Sequence, residues 1–195
     1  AGATFQGLLR NPLADPYVLG TASGAAFGAA LALVVPVQVA LLGFGLLHLF
    51  AFAGALLAVA VVYRLARIGS LSSMTSVLLT GYAVGALLAA GLAVTMYLSG
   101  SNLRQIFTYL LGSFALASWP HILIGLPVIA AGSAAILLRA RALNALLLGP
   151  AYARSLGLNV MRTRLWIVLA TAILAGVITA CAGPIGFSGI AVPHL

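Results

Sequence analysis

The chain has 195 residues, 64% of them hydrophobic and 5% charged, and its charge is nine arginines against one aspartate, a net +8. An ordinary soluble domain carries roughly 25% charged residues, so a water-exposed globular surface is excluded. So apolar a chain cannot stay solvated and disordered either, and the composition is that of an integral membrane protein.

In chain order, residues 1–9 read as the tail of an apolar span that ends at Arg10. The polar turn Asn11-Pro12-Leu13-Ala14-Asp15-Pro16 follows, and its two prolines and Asx pair stop a helix. Positions 16–63 then hold no Asp, Glu, Lys or Arg, with His48 the single histidine among them. A bilayer core of about 30 Å takes roughly 20 helical residues, so this stretch crosses twice. Runs free of charge at 68–103, 105–138 and 165–195 each hold one span more. A membrane barrel would show segments of about ten residues of alternating polarity, and these Leu, Ala, Val and Gly blocks show none. The pattern predicts an all-α, polytopic transmembrane helical bundle, one domain over 1–195. Its five spans lie near 17–35, 39–63, 72–98, 119–138 and 165–182, with partial spans at both ends. The chain opens and stops inside apolar stretches, which leads us to expect a piece of a longer membrane protein.

Gly20, Gly24 and Gly28 recur at intervals of four, a smooth face along which another helix approaches closely, and Gly81 and Gly85 repeat the device. Gln105 to Phe114 is amphipathic and predicts a short helix at the external surface, with Tyr109 and Trp119 as interfacial anchors and Pro120 opening the next span. The connection from Arg139 to Arg164 is the longest polar one. Its apolar residues fall at helical spacing, with Pro150 inside a start and Gly157 at a stop, so two short helices are expected there. With these spans, Arg10, Arg64, Arg67, Arg139, Arg141, Arg154, Arg162 and Arg164 fall on one side and Arg104 alone on the other. That asymmetry marks the cytoplasmic face; the arginines report topology and not a nucleic-acid partner.

Buried ionisable groups mark chemistry inside membranes, and here they are sparse. His48 reads as a structural, hydrogen-bonded histidine, His121 as an interfacial one, and Cys181 as a small buried hydrophobe. With Asp15 the only carboxylate, acid/base pairs, proton relays and metal clusters are not expected. A Walker loop needs a lysine, and the chain has none, so any ATP is bound by another chain. Gly186-Phe187-Ser188-Gly189 with His194 is similar to the pattern of intramembrane serine proteases. Six residues on one segment is the wrong helical spacing for a dyad, which leaves His48 as the alternative base.

Three blocks carry a resemblance. They are Gly2-Ala3-Thr4-Phe5-Gln6-Gly7-Leu8-Leu9-Arg10-Asn11-Pro12-Leu13-Ala14-Asp15-Pro16-Tyr17-Val18-Leu19-Gly20 with Ser23-Gly24-Ala25, then Leu148-Gly149 through Ala153-Arg154-Ser155-Leu156-Gly157, and Gly183-Pro184-Ile185-Gly186-Phe187-Ser188-Gly189-Ile190-Ala191-Val192-Pro193-His194. In this order and spacing the chain resembles the FecCD family, the permease subunits of ABC importers for ferric siderophores, haem and cobalamin. The resemblance implies a ten-span permease of which this chain runs from the end of span two to the start of span eight, in the cytoplasmic membrane of a bacterium. It implies a second permease copy, as homodimer or pseudo-dimer, an extracytoplasmic substrate-binding protein that delivers the ligand, and an ATP-binding subunit that hydrolyses ATP, with no cofactor held by this chain and no enzymatic activity of its own.

Carried over residue by residue, the resemblance assigns Gly149, Ala153, Arg154, Leu156 and Gly157, within a cytoplasmic loop over 142–161, to ATPase coupling; Pro150 stands where the family usually has an acidic residue. It assigns Ser73, Met74 and Thr75, in the segment Ser72 to Ser76, to the inner gate, and Thr80, Tyr82 and Thr95 to the pathway. Asn11, Pro12, Asp15, Pro16, Gly186, Pro193 and His194 are its motif positions. A ferric siderophore is the expected cargo, with haem or cobalamin as alternatives and an intramembrane serine protease as a remote one.

Overall fold

The computed structural model describes residues 1–35, 40–41, 44–68, 74–114 and 118–195. Ten α-helices occur among them: α1 Gly2–Leu9, α2 Thr21–Val34, α3 Leu46–Ile68, α4 Met74–Leu98, α5 Leu103–Leu110, α6 Trp119–Leu138, α7 Ala140–Leu148, α8 Pro150–Ser155, α9 Val160–Ala182 and α10 Ser188–Ala191. A minimal hairpin, β1 Ala40–Leu41 paired antiparallel with β2 Phe44–Gly45, precedes α3. Helices α3, α4, α6 and α9 are long and apolar enough to cross a bilayer, so four of the five expected spans are continuous membrane-length helices.

The first span departs from expectation. It is a 3₁₀ turn, Pro16–Leu19, followed by the 14-residue α2, because Gly20 turns to φ 79° between them. Asp15 caps the 3₁₀ turn by accepting the Tyr17 amide at 2.9 Å, and Asn11 accepts that of Leu13 at 3.0 Å. The Asx pair thus satisfies amides that the broken helix leaves open. The second span begins at Leu46 and not at 39, because the hairpin comes first, and it runs on to Ile68 with Arg64 and Arg67 in its last turns. The last span starts at Val160 and not at 165. Asn159 accepts the Arg162 amide at 3.1 Å and so sets its N-terminus early.

Glycine lets the bundle close. Helix α2 lies against α3, where a Cβ on Gly24 would collide with the Gly54 carbonyl and one on Gly28 with that of Phe50. Gly81 on α4 meets the Val18 carbonyl in the same manner. Ala25, Ala29, Ala51, Ala55 and Ala180 fill the small-residue core that this spacing permits. A second core joins Phe5, Leu8, Ala14, Leu19, Val59, Ile167, Val168 and Ala172 to Ala145, Leu146 and Ala153 of the α7–α8 connection.

Contacts between distant segments sort the ends of the bundle. The Arg10 guanidinium donates to the Leu146 carbonyl at 2.6 Å, and Tyr63 near the end of α3 reaches the Met161 sulfur at 3.8 Å. Arg10, the last turns of α3, the α7–α8 connection and the start of α9 therefore share one end. Arg104 lies at the other, on the rim of a cavity of about 500 Å³ with His48, Tyr109 and Cys181.

Candidate functional site

The α7–α8 connection is built around two glycines. Gly149, at φ 128° and ψ 151°, separates α7 from α8, and Pro150 opens α8 at a position that needs no amide. Gly157 takes φ 77° after α8, with its amide donating to the Arg154 carbonyl at 2.9 Å and that of Leu158 to Ala153 at 3.1 Å. This is a glycine-capped helix end, and the pair of short helices is the arrangement expected from the sequence. Ala153 is 0% exposed and pins α8 to the core, whereas Arg154, Leu156 and Gly157 are exposed. With Leu147, Leu148 and Tyr152 they form an apolar surface with one cation facing away from the bundle.

The expected gate and pathway residues fall along α4. Ser73 lies outside the described residues, Met74 opens α4, Thr75 is exposed and Thr80 is half-buried. Tyr82, at 78% exposure, stands on the wall of a groove of about 300 Å³ lined by Tyr17, Gly20, Ser23, Gly81 and Gly85. Thr95 does not serve as a polar point there, because it is buried and donates to the Gly91 carbonyl at 2.9 Å within its own helix.

The motif positions at the two ends of the chain come together. A Cβ on Gly189 would stand 2.9 Å from Pro16 Cδ and 3.0 Å from Asp15 Oδ1, and Gln6 donates to the Gly189 carbonyl at 3.3 Å. Asn11, Pro12, Gly186 and His194 are exposed, while Pro193 is half-buried in the 3₁₀ turn Val192–His194. The Ser188 hydroxyl donates to the Ile185 carbonyl at 3.0 Å, a local turn bond and not a catalytic one.

His48 does not stand alone. Its ring packs on that of His121 at the start of α6, with centroids 4.4 Å apart. His121 Nδ1 accepts the Ser118 amide at 3.1 Å and lies 2.9 Å from its hydroxyl. An amide only donates, so Nδ1 is the acceptor in this contact. That is a helix cap, and it occupies the nitrogen through which a second-shell partner would orient a metal ligand. Nearby, Tyr109 donates to the Thr179 carbonyl at 2.8 Å, and burial holds its phenol above the ordinary tyrosine range.

Two of these relationships were not visible in the sequence. The sequence places Arg10 among the topological markers, yet its side chain bonds into α7, and the sequence offers the two histidines only singly although their rings meet. The available signal for Arg10 was its place at the end of a helix, before a proline turn, where glycine is the usual residue.

Residues 1–195 match the FecCD transport family. The chain belongs to that family. Among its relatives, the hemin transport system permease protein HmuU of Yersinia pestis is 40% identical, with 100% of this chain and 59% of that protein aligned. The cobalamin import system permease protein BtuC of Halobacterium salinarum is 38% identical, covering 100% and 52%. The uncharacterized ABC transporter permease protein YvrB of Bacillus subtilis is 36% identical, covering 100% and 56%. A solved ABC transporter in an inward-facing conformation, classed provisionally as of the metal-chelate type, superposes with a TM-score of 0.84 at 28% identity over 99% of this chain and 60% of its own. The FecCD segment described here thus spans little more than half the length of these relatives. It is a multi-pass membrane segment with the all-helical fold of this family.

Proposed function

We propose that this chain is the central part of a permease subunit of an ABC importer in a bacterial cytoplasmic membrane, moving a ferric siderophore or related iron or cobalt chelate. ATP is bound and hydrolysed on a separate subunit, and this chain carries no catalytic group. The observation that carries the reading is the α7–Gly149–α8 unit. It is rooted in the core through Ala153 and turns Leu147, Leu148, Tyr152, Arg154 and Leu156 outward at the arginine-rich end. An exposed apolar surface that includes a cation calls for a protein partner, and here the partner is the ATPase.

The cargo reading rests on the α4 groove. Its wall of glycine, alanine and tyrosine offers shape and a few hydroxyls, which suits a bulky chelate that brings its own metal ligands and must be released after each cycle. An extracytoplasmic binding protein delivers the ligand at the Arg104 end, and a second permease copy completes the path. Relatives named for hemin and cobalamin make those two ligands the alternatives. Uptake of labelled ferric siderophore, haem and cobalamin is measured in cells lacking the full-length parent gene and in the same cells with it restored. Loss and rescue for one ligand identifies the cargo; no change for any of the three overturns the reading.

A further inference from the structure

Arg10 closes α1 with φ 51° and ψ 39°, and it is one of two non-glycine residues in the left-handed region among those described. A side chain there is strained, and glycine would sit at ease. The side chain that bears this strain spans 136 positions to donate to the Leu146 carbonyl at 2.6 Å. That carbonyl lies in the last turn of α7, where partners within the helix run out and a cation is favoured, and it also accepts the Gly149 amide at 3.2 Å. A Cβ on Gly149 would be 3.7 Å from the same guanidinium nitrogen. Arg10 therefore lies directly over the joint between α7 and α8.

From Arg10 the chain runs without a loose segment into the membrane helices. The Asn11 to Asp15 turn is held by its Asx bonds, and Asp15 and Pro16 pack on Gly189. The 3₁₀ turn Pro16–Leu19 then seats the Val18 carbonyl against Gly81 on the groove wall of α4. A displacement of the α7–α8 joint has a contiguous, packed route to the groove that includes this guanidinium, beside the apolar core joining Leu146 and Ala153 to Leu19 and the covalent route through α9.

We infer that Arg10 is a positioning residue for coupling: it transmits movement of the α7–α8 unit to the groove wall, and it is retained in a strained backbone for that purpose. The inference rests on the reading of α7 and α8 as the ATPase-docking unit. Arg10→Gly tests it, since glycine relieves the backbone while removing the guanidinium together with its aliphatic stem.

In proteoliposomes holding the full-length permease with its ATPase, uptake of cobalamin, haemin and ferrichrome is measured together with ATP hydrolysis. Arg10→Gly is expected to keep the ATPase bound and to unfold no earlier than the parent, while substrate moved per ATP falls at least about tenfold. Arg10→Lys is expected to recover part of that loss. An unchanged transport ratio in Arg10→Gly overturns the inference. So does loss of thermal stability and assembly together with transport, which would make Arg10 a structural tie. A parent protein with no ATP-driven uptake of any of the three probes overturns the importer reading itself, and that result is seen before any substitution is made.

Discussion

Gly24 on α2 and Gly54 on α3 each occupy the space that the other's Cβ would need, so the two backbones touch directly. Such contact is how membrane helices gain dispersion and weak C–H···O bonds where lipid offers no hydrophobic drive. Gly54→Ala should therefore destabilise the protein in detergent by about 1–3 kcal/mol, the range for overpacking. Gly85→Ala is the control, because its Cβ would meet only Ser23 Oγ, at 3.5 Å. It should leave the thermal midpoint unchanged or raise it, since alanine is the better helix former. Equal losses in both would remove the special status of the Gly24–Gly54 contact.

Arg154→Glu and Gly157→Pro should each depress uptake while the protein still inserts. Arg154 is exposed in the last turn of α8, so a carboxylate there opposes the helix dipole by about 0.3–1 kcal/mol and reverses the charge offered to the partner. Gly157 holds φ 77°, which proline cannot reach. Membrane insertion by protease accessibility and uptake are measured side by side; normal uptake in both variants would end the coupling assignment.

Gly189→Ala should separate the two ends of the chain, since its Cβ would press on Pro16 and Asp15. A drop in thermal stability is expected. Ser188→Ala, one residue away, loses only a turn bond to Ile185 and should leave uptake intact. If Ser188→Ala instead abolished cleavage of a membrane-embedded test peptide, the protease alternative would return.

Tyr109→Phe should cost at most about 1 kcal/mol, the low end for a lost hydrogen bond. The Thr179 carbonyl it abandons still accepts the Gly183 amide at 2.8 Å and is not orphaned. Because burial raises the phenol's proton affinity, Tyr109 stays a donor as the pH rises through the ordinary tyrosine range. Difference absorbance near that range should show no ionisation from this ring, whereas a normal titration would contradict its burial.

Much of this architecture was legible before any fold was known. Membrane class, helical spans, the sidedness of the arginines and the short helices around Pro150 follow from properties that run along one dimension. Apolar length against bilayer thickness, charge position, and the local effects of proline and glycine need no knowledge of neighbours. The glycine stripe of α2 announced a close approach in the same way. Its partner, Gly54, did not, because a smooth face accepts any helix that reaches it.

Tertiary structure decided which residues meet. The Arg10–Leu146 bond, the packing of Gly189 on Asp15 and the packing of His48 on His121 all join segments far apart in the chain. Each is a choice among partners offering equivalent local chemistry: any last-turn carbonyl would accept a guanidinium, and either histidine could have served as a lone buried ring. Only the way the helices pack selects among them, and that selection seats the Arg10 guanidinium on the last turn of α7.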